Sequence, residues 1–503
     1  MSAERRRLAV AASVALALAL GAPGPAAAHA IEGAFQLPIP LWLYLLGAAV
    51  AVAASFVVTA ISSRRVAVPR YATIAIPPAV AAVSRTALRV LGLAWWYGPI
   101  LVGFVVADIS ALPAVLLWVG IWVALPMVTA MFGNPWPSLS PFRTTFAALE
   151  WIARRLGTER LDAGVPYPAE LARWPAVALL AVGIWCELVL PGSDAATTVA
   201  ALLAGYTALT IAGMTLFGPV AWLRHAEMFE VLLGWFGRIG PVARRSVDRG
   251  LCQDCGNECE PDRCIDCPEC SVAAEDAERR AELRAWIVGL TEPAPPGWSD
   301  AAFIVLVLAG VTYDGMRETA FGATLLTALL TPLLEMLGPT SLAFLLADTA
   351  ALALLVAAFV AAFAATLALT RTLARGGPMR PAAYAATLLP ISAGYLVAHY
   401  LTLVIRGAIW VPALVVDPLM SLAPDVSWIP PGVIWYLSVA SIVGGHIAGI
   451  ALAHGLALRD APRHGTVAGL PMVGLMIGYT VLSLWIIAQQ IVIDPGVQPT
   501  AIR

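Results

Sequence analysis

Residues 342–370 read LAFLLADTAALALLVAAFVAAFAATLALT, and the only ionisable side chain among them is Asp348. A helix needs about 20 apolar residues to cross the hydrocarbon core of a bilayer. Inside hydrocarbon the backbone N–H and C=O groups must be paired within the protein, and a helix pairs them locally. The stretch therefore reads as a membrane-spanning helix. Working outward from it, ten spans emerge: 37–62, 91–107, 111–132, 174–191, 198–222, 301–316, 342–370, 381–406, 431–457 and 467–490. The composition agrees. The 503 residues are 60% hydrophobic and 12% charged, where a soluble domain carries about 25% charged residues. The expected fold is all-α, a polytopic inner-membrane helix bundle.

Residues 1–28 read as a cleaved secretory signal. Arg5, Arg6 and Arg7 precede the apolar run LAVAASVALALAL, and Ala26-Ala27-Ala28 is a small-residue cleavage site. Cutting there makes His29 the first mature residue, whose amine and imidazole together chelate copper. Cutting after Ala30 removes it, and His29 then has no such role. A cleaved signal puts the mature N-terminus outside. Twenty-four arginines then fall in inward loops, at 63–90, 133–173 and 223–300 and after the seventh and ninth spans. Only Arg317, Arg406 and Arg503 fall outside. That is the asymmetry of a correctly oriented membrane protein, and it also puts the C-terminus outside. The chain divides into the signal (1–28), spans one to five (29–222), an inner loop (223–300), spans six to ten (301–490) and an external tail (491–503).

Two segments resist simple assignment. Residues 301–338 hold about two spans' worth of apolar residues, interrupted at Thr312–Glu318, but must cross an odd number of times. The reading is one span, then a helix such as 320–337 lying on the outer face or re-entering. The stretch 226–239, AEMFEVLLGWFGRI, reads as a helix lying on the inner surface.

Some chemistries are excluded. The chain has no lysine, so it has neither a P-loop lysine nor a Schiff-base lysine. No ATP is expected, and a net charge of −2 gives no reason to expect nucleic acid. The partner is the lipid bilayer, with a further membrane subunit left open.

The inner loop carries CQDCGNECEPDRCIDCPEC, with Cys252, Cys255, Cys259, Cys264, Cys267 and Cys270. In a reducing compartment such thiols bind metal rather than crosslink. Cys252-x2-Cys255 and Cys264-x2-Cys267 form two knuckles suited to tetrahedral zinc. Cys264-x2-Cys267-x2-Cys270 matches the first three ligands of a ferredoxin run, but residue 274 is alanine where the fourth is expected. Zinc and an iron–sulfur cluster both stay open. The remaining cysteine, Cys186, lies in an apolar span and reads as a small core residue.

Ionisable residues inside a membrane are costly and mark candidate sites. Asp314, Glu318, Asp348 and His399 fall at the outer boundary, on the side of the mature His29. Together they form a candidate outer-leaflet site for copper, iron or zinc, or else a structural salt-bridge network. Glu187, Asp108 and Arg317 lie at similar depth. His446 and His454 are candidate intramembrane residues. Gly444, Gly445 and Gly449 around His446 permit close approach of a helix or a macrocycle.

Several stretches carry a resemblance: 29–58 (HAIEGAFQLPIPLWLYLLGAAVAVAASFVV), 124–144 (ALPMVTAMFGNPWPSLSPFRT), 311–319 (VTYDGMRET), 398–407 (AHYLTLVIRG) and 435–460 (WYLSVASIVGGHIAGIALAHGLALRD). The chain from 29 to about 460 resembles bacterial polytopic membrane proteins described as fenitrothion hydrolase-like. The resemblance implies an organophosphate-ester hydrolase component in the inner membrane and transfers no catalytic role to any residue. Asp314, Asp348, His399, His446 and His454 lie within the similar stretch. Three functions stay open: metal handling or transport, a membrane redox component, and that hydrolase. Whether the chain is an enzyme stays open with them.

Overall fold

A computed structural model describes residues 35–62, 73–158, 160–245, 280–291, 297–376, 380–420 and 422–493. A short strand β1 (Phe35–Gln36) leads into helix α1 (Leu41–Ser62). Strand β2 (Thr73–Ala75) precedes α2 (Pro78–Val105), and α3 follows (Leu112–Phe132). An amphipathic α4 (Pro141–Arg155) comes before α5 (Trp174–Leu188) and α6 (Ala196–Phe217). Two short helices, α7 (Pro219–His225) and α8 (Met228–Gly237), lead to strands β3 (Val242–Arg245) and β4 (Arg280–Leu283). The second half is α9 (Trp298–Arg317), α10 (Ala320–Leu337), α11 (Ser341–Leu373), α12 (Pro381–Val416), α13 (Pro431–Asp460) and α14 (Gly465–Ile491), closed by β5 (Val492–Ile493).

The fold is the expected all-α polytopic bundle. Ten helices are long and apolar enough to cross a membrane, and they differ from the sequence reading at two places. By length and composition α10 qualifies, while α5, with 15 residues, does not. The strands decide which helices change face. β2, β4 and β3 form one antiparallel sheet, so Ala75, Val242 and Arg280 lie at the same end of the bundle. An even number of traverses must separate β2 from β3. If α2, α3 and α6 each cross, the fourth traverse falls to α5, shorter than the candidate spans.

β1 pairs in parallel with β5, Phe35 opposite Val492, so the first and last described segments also share an end. The Arg459 guanidinium donates to Thr291 O at 3.2 Å, tying the end of α13 to the segment before α9. Both ties are met when α5 is counted as crossing and α10 is not. Its packing agrees: Leu326, Leu329, Leu330, Leu333 and Leu334 lie on Ala343, Phe344 and Ala347, the first turns of α11. α10 packs on the first turns of α11, and by length and composition it is one of the ten candidate spans, where the sequence reading has it on the outer face or re-entering.

Other boundaries shift. α9 runs unbroken through Thr312–Arg317, so the polar TYDG stretch lies inside the helix and not in a break. α12 continues past Arg406 to Val416. α2 begins thirteen residues before the expected span and carries Arg85 and Arg89 in its first turns. The expected fifth span, 198–222, ends at Phe217, where Gly218 (φ 84°) breaks the chain before α7.

The segment 226–239 is the clearest correction. It does not lie on a surface: Met228, Phe229, Val231, Leu232, Leu233, Trp235 and Phe236 are all buried. α8 packs on α3, α5, α7 and α12. A helix that is apolar all round is a buried helix, and the Glu227 carboxylate explains how its first turn survives there. Glu227 accepts from the N–H groups of Phe229 (3.0 Å) and Glu230 (2.6 Å), from Tyr206 Oη (2.5 Å) and from Trp136 Nε1 (3.2 Å). It is an N-cap supplied with donors on every side.

α9 is the buried axis of the bundle. Of its 18-residue apolar window 89% is buried, against 11% for the adjoining α10. α9 packs on α5, α11, α12 and α14. Any polar side chain on it must find its partner inside the protein.

Candidate functional site

The polar residues of α9 find that partner on α12. Asp314 Oδ2 lies 3.1 Å from His399 Nε2 and accepts from Tyr400 Oη at 2.7 Å. All three are buried. Gly315 makes this approach possible. A Cβ there would stand 2.2 Å from Tyr395 Oη and 2.7 Å from Ile486 Cγ2. Aromatic rings hold the imidazole: Tyr395 stacks on it at 5.6 Å and Tyr400 meets it edge-on at 4.4 Å. His399 is thus fixed in orientation with one carboxylate oxygen at its Nε2. A proton exchanged between the two changes the charge of both at a dry site, where charge is expensive.

Further charged groups sit around this pair. On α5, Glu187 Oε2 accepts from Trp122 Nε1 at 2.5 Å, and Glu187 lies within electrostatic reach of Asp314 and Arg317. The Arg317 guanidinium donates to Leu188 O and acts on Asp348. Tyr313 Oη donates to Asp348 O at 3.3 Å. Trp122 belongs to a stretch of α3, Val115–Ala124, wound as a π-helix. Such wide turns re-aim side chains and are frequent at functional positions.

Between Glu187 and Tyr400 lies a cavity of about 40 Å³, walled by Trp122, Ile184, Gly310 and Val311 and by Leu232 and Phe236 of α8. It has room for a few water molecules. A larger cavity of about 280 Å³ borders Trp96, Trp118, Trp122, Cys186, Tyr206 and Phe229, and is almost wholly apolar.

Of the expected outer residues, Asp314 and His399 are therefore in direct contact. Asp348 joins through Tyr313 and Arg317. Glu318 caps the end of α9 and acts electrostatically on Tyr395. His29 and the six cysteines, Cys252 to Cys270, lie outside the described residues. The strands β3 and β4 that flank the cysteine segment are paired, which holds its two ends together. Cys186 is a buried core residue, as expected. Among the described residues no three His, Cys, Asp or Glu side chains converge as ligands for one metal ion.

His446 and His454 sit apart, on α13. The glycines beside His446 serve helix packing. A Cβ on Gly445 would stand 2.3 Å from Pro390 O, one on Gly449 2.7 Å from Thr387 O, and one on Gly394 2.3 Å from Ser441 O. Ser441, Gly445 and Gly449 make a small-residue stripe on which α12 closes, the usual device for tight helix contact in a membrane.

Tyr400 and Trp122 were not read from the sequence as site residues, and Glu187 only as a boundary charge. Glu187 had a signal, an acid following IWC in an apolar run. Tyr400 and Trp122 had none, because aromatic residues are ordinary in spans.

The other end of the bundle carries ion pairs with buried carboxylates. Arg143 reaches Glu230 at 3.1 Å, Arg173 pairs with Asp300, and Arg380 pairs with Asp460. Trp235 Nε1 adds a bond to Asp300 at 3.1 Å. These tie α4 to α8, α8 and the start of α5 to α9, and the start of α12 to the end of α13, as structural clamps. No protein-family model, curated protein or solved structure matches the chain.

Proposed function

We propose that the chain is a metal transporter of the bacterial inner membrane. In this reading Asp314 and His399 are the ionisable pair whose protonation is coupled to passage. The observation that carries it is the contact of Asp314 with both His399 and Tyr400 inside the most buried helix of the bundle. A carboxylate and an imidazole at such depth cost several kcal/mol to keep, and helix packing alone would be better served by apolar residues. The cavity beside Glu187 reaches Tyr400, the hydrogen-bond partner of Asp314.

The orientation follows from the arginines. With them inward, the Asp314 end of α9 faces outside and β3, β4 and the cysteine segment face the cytoplasm. The six cysteines then take the metal as it arrives, as zinc or another soft ion on thiolates, or as an iron–sulfur cluster where the cell supplies sulfide. The acids among them, Asp254, Glu258, Glu260, Asp262, Asp266 and Glu269, add attraction for cations.

The test is uptake of Zn(II), Fe(II) and Cu(I) by sealed proteoliposomes carrying the full chain. The expected result is protein-dependent uptake of at least one of these ions, reduced at least tenfold by Asp314→Asn. No uptake of any of the three, or uptake indifferent to that substitution, overturns the reading.

A further inference from the structure

His446 is fully buried, and its Nδ1 lies 2.7 Å from Ile442 O. A carbonyl only accepts, so Nδ1 carries the proton, and in the neutral ring Nε2 is a bare lone pair. That lone pair meets no hydrogen-bond donor among the described residues. Two turns further along α13, His454 is also buried, with neither ring nitrogen hydrogen-bonded there. It sits edge-on to Phe56 of α1 at 5.3 Å, and its Nδ1 lies 3.8 Å from where a Cβ on Gly469 would stand. A buried polar atom left without a partner is costly. Two imidazoles in this state, about 12 Å apart along one helix by its rise, call for an occupant.

α14 presents the complementary ligands. Met472 and Met476 are both fully buried and one turn apart. Met476 Sδ lies 3.5 Å from the Cβ position of Gly449, which fixes the register of α13 against α14. The two helices follow each other through a short turn and run antiparallel. With a rise of 1.5 Å per residue, His446 lies about 4.5 Å to one side of the Gly449–Met476 level. Met472 and His454 lie about 6 and about 7.5 Å to the other side by the same rise. The interface thus offers nitrogen, sulfur, sulfur and nitrogen in succession along the bundle.

All four ligands are neutral. α1 and α14 contain no charged residue, and the charges of α13 are confined to Arg459 and Asp460 at its end. A divalent ion would bring two uncompensated charges to this depth, where each is costly. A soft monovalent ion brings one, and thioether and imidazole are the groups that Cu(I) takes.

We propose that the α13–α14 interface is a track for a soft monovalent metal ion, with the chemistry of Cu(I). His446 Nε2 and Met476 Sδ form one station, and Met472 and His454 the next. The ion enters and leaves as Cu(I), with no electron transferred, and Nε2 has no proton to release. This rests on the transport reading and names its substrate class. His454 lies toward the Arg459 end of α13, the end tied to Thr291 and hence to the face that carries the cysteine segment.

The test uses the full chain with all six cysteines from Cys252 to Cys270 changed to serine, titrated anaerobically with Cu(I) against a chromogenic chelator. Binding should survive the serine changes. Met472→Leu/Met476→Leu should weaken it at least tenfold while leaving the unfolding temperature nearly unchanged, because Leu conserves the volume of Met. His446→Phe should weaken it independently, and Zn(II) should not compete. No Cu(I) binding by the serine parent, parental binding by the double-leucine variant, or displacement by Zn(II) each overturns the track. Cu(I) binding without vesicle uptake of any metal leaves the track and removes the transport reading. Zinc uptake without Cu(I) binding does the reverse.

Discussion

His399 and His446 are both buried in the same bundle, and their surroundings are opposite. His399 faces a carboxylate, with a tyrosine on each side of its ring. His446 faces a backbone carbonyl at one nitrogen and nothing that hydrogen-bonds at the other. In the proposed reading the first imidazole, beside a carboxylate, holds or passes a proton. The second, with a bare lone pair one turn from the level of Met476, holds a soft ion. The difference lies in the neighbouring helix: α9 supplies Asp314, whereas α14 supplies Met472 and Met476.

The largest effect expected from breaking this contrast is at Asp314. Asp314→Ala leaves His399 and Tyr400 buried without their acceptor. Removing one partner of a buried pair costs about 3–5 kcal/mol, so thermal unfolding in detergent should show a large loss. Asp314→Asn keeps the shape and a hydrogen-bond acceptor and should lose less than half as much.

Next comes the helix contact that aims His446. Gly445→Ala puts a methyl group 2.3 Å from Pro390 O, a backbone atom that cannot turn aside. Overpacking of this kind costs about 1–3 kcal/mol. Gly444 has nothing within 4 Å of its Cβ position, so Gly444→Ala should be neutral or stabilising by up to about 1 kcal/mol. The pair of melts tests the packing of α12 on α13 without touching either histidine.

The smallest effect is at the surface. Asp108 accepts from the Thr197 N–H (2.9 Å) and from Thr197 Oγ1 (2.7 Å), capping α6 from outside the helix. The Thr197 backbone N–H, and after it the hydroxyl, hold the Asp108 carboxyl below its ordinary value. A carboxyl lowered on folding contributes stability that is complete above its unfolded value, about 3.9. That contribution is lost as pH falls through the lowered folded value. Asp108→Asn should therefore flatten the acid limb of the unfolding temperature slightly and leave neutral pH almost unchanged.

The membrane-spanning class was legible because apolar runs of this length have one stable outcome in lipid. The helix at 174–188 was legible too, as an apolar run, although it is shorter than the span read at 174–191. The buried α8 was not. AEMFEVLLGWFGRI carries two acids and an arginine, which at the sequence level look like the polar face of a surface helix. Glu230 is instead paired with Arg143, 87 residues away, and Glu227 accepts from Trp136, Tyr206 and two N–H groups of its own helix. Asp314 and His399 were each visible as ionisable residues at one depth. Their contact was not, since nothing in a sequence of spans says which helices are neighbours. The bare nitrogen of His446 was invisible for the same reason, as were Met472 and Met476, which read as ordinary apolar residues.

The most direct test of the contrast is His399→Gln, measured for Cu(I) binding in detergent and for Cu(I) uptake in sealed vesicles. If His399 serves the coupling proton and His446 the ion, this variant binds Cu(I) as the parent does and takes it up at least tenfold more slowly. Uptake at the parental rate would contradict the account.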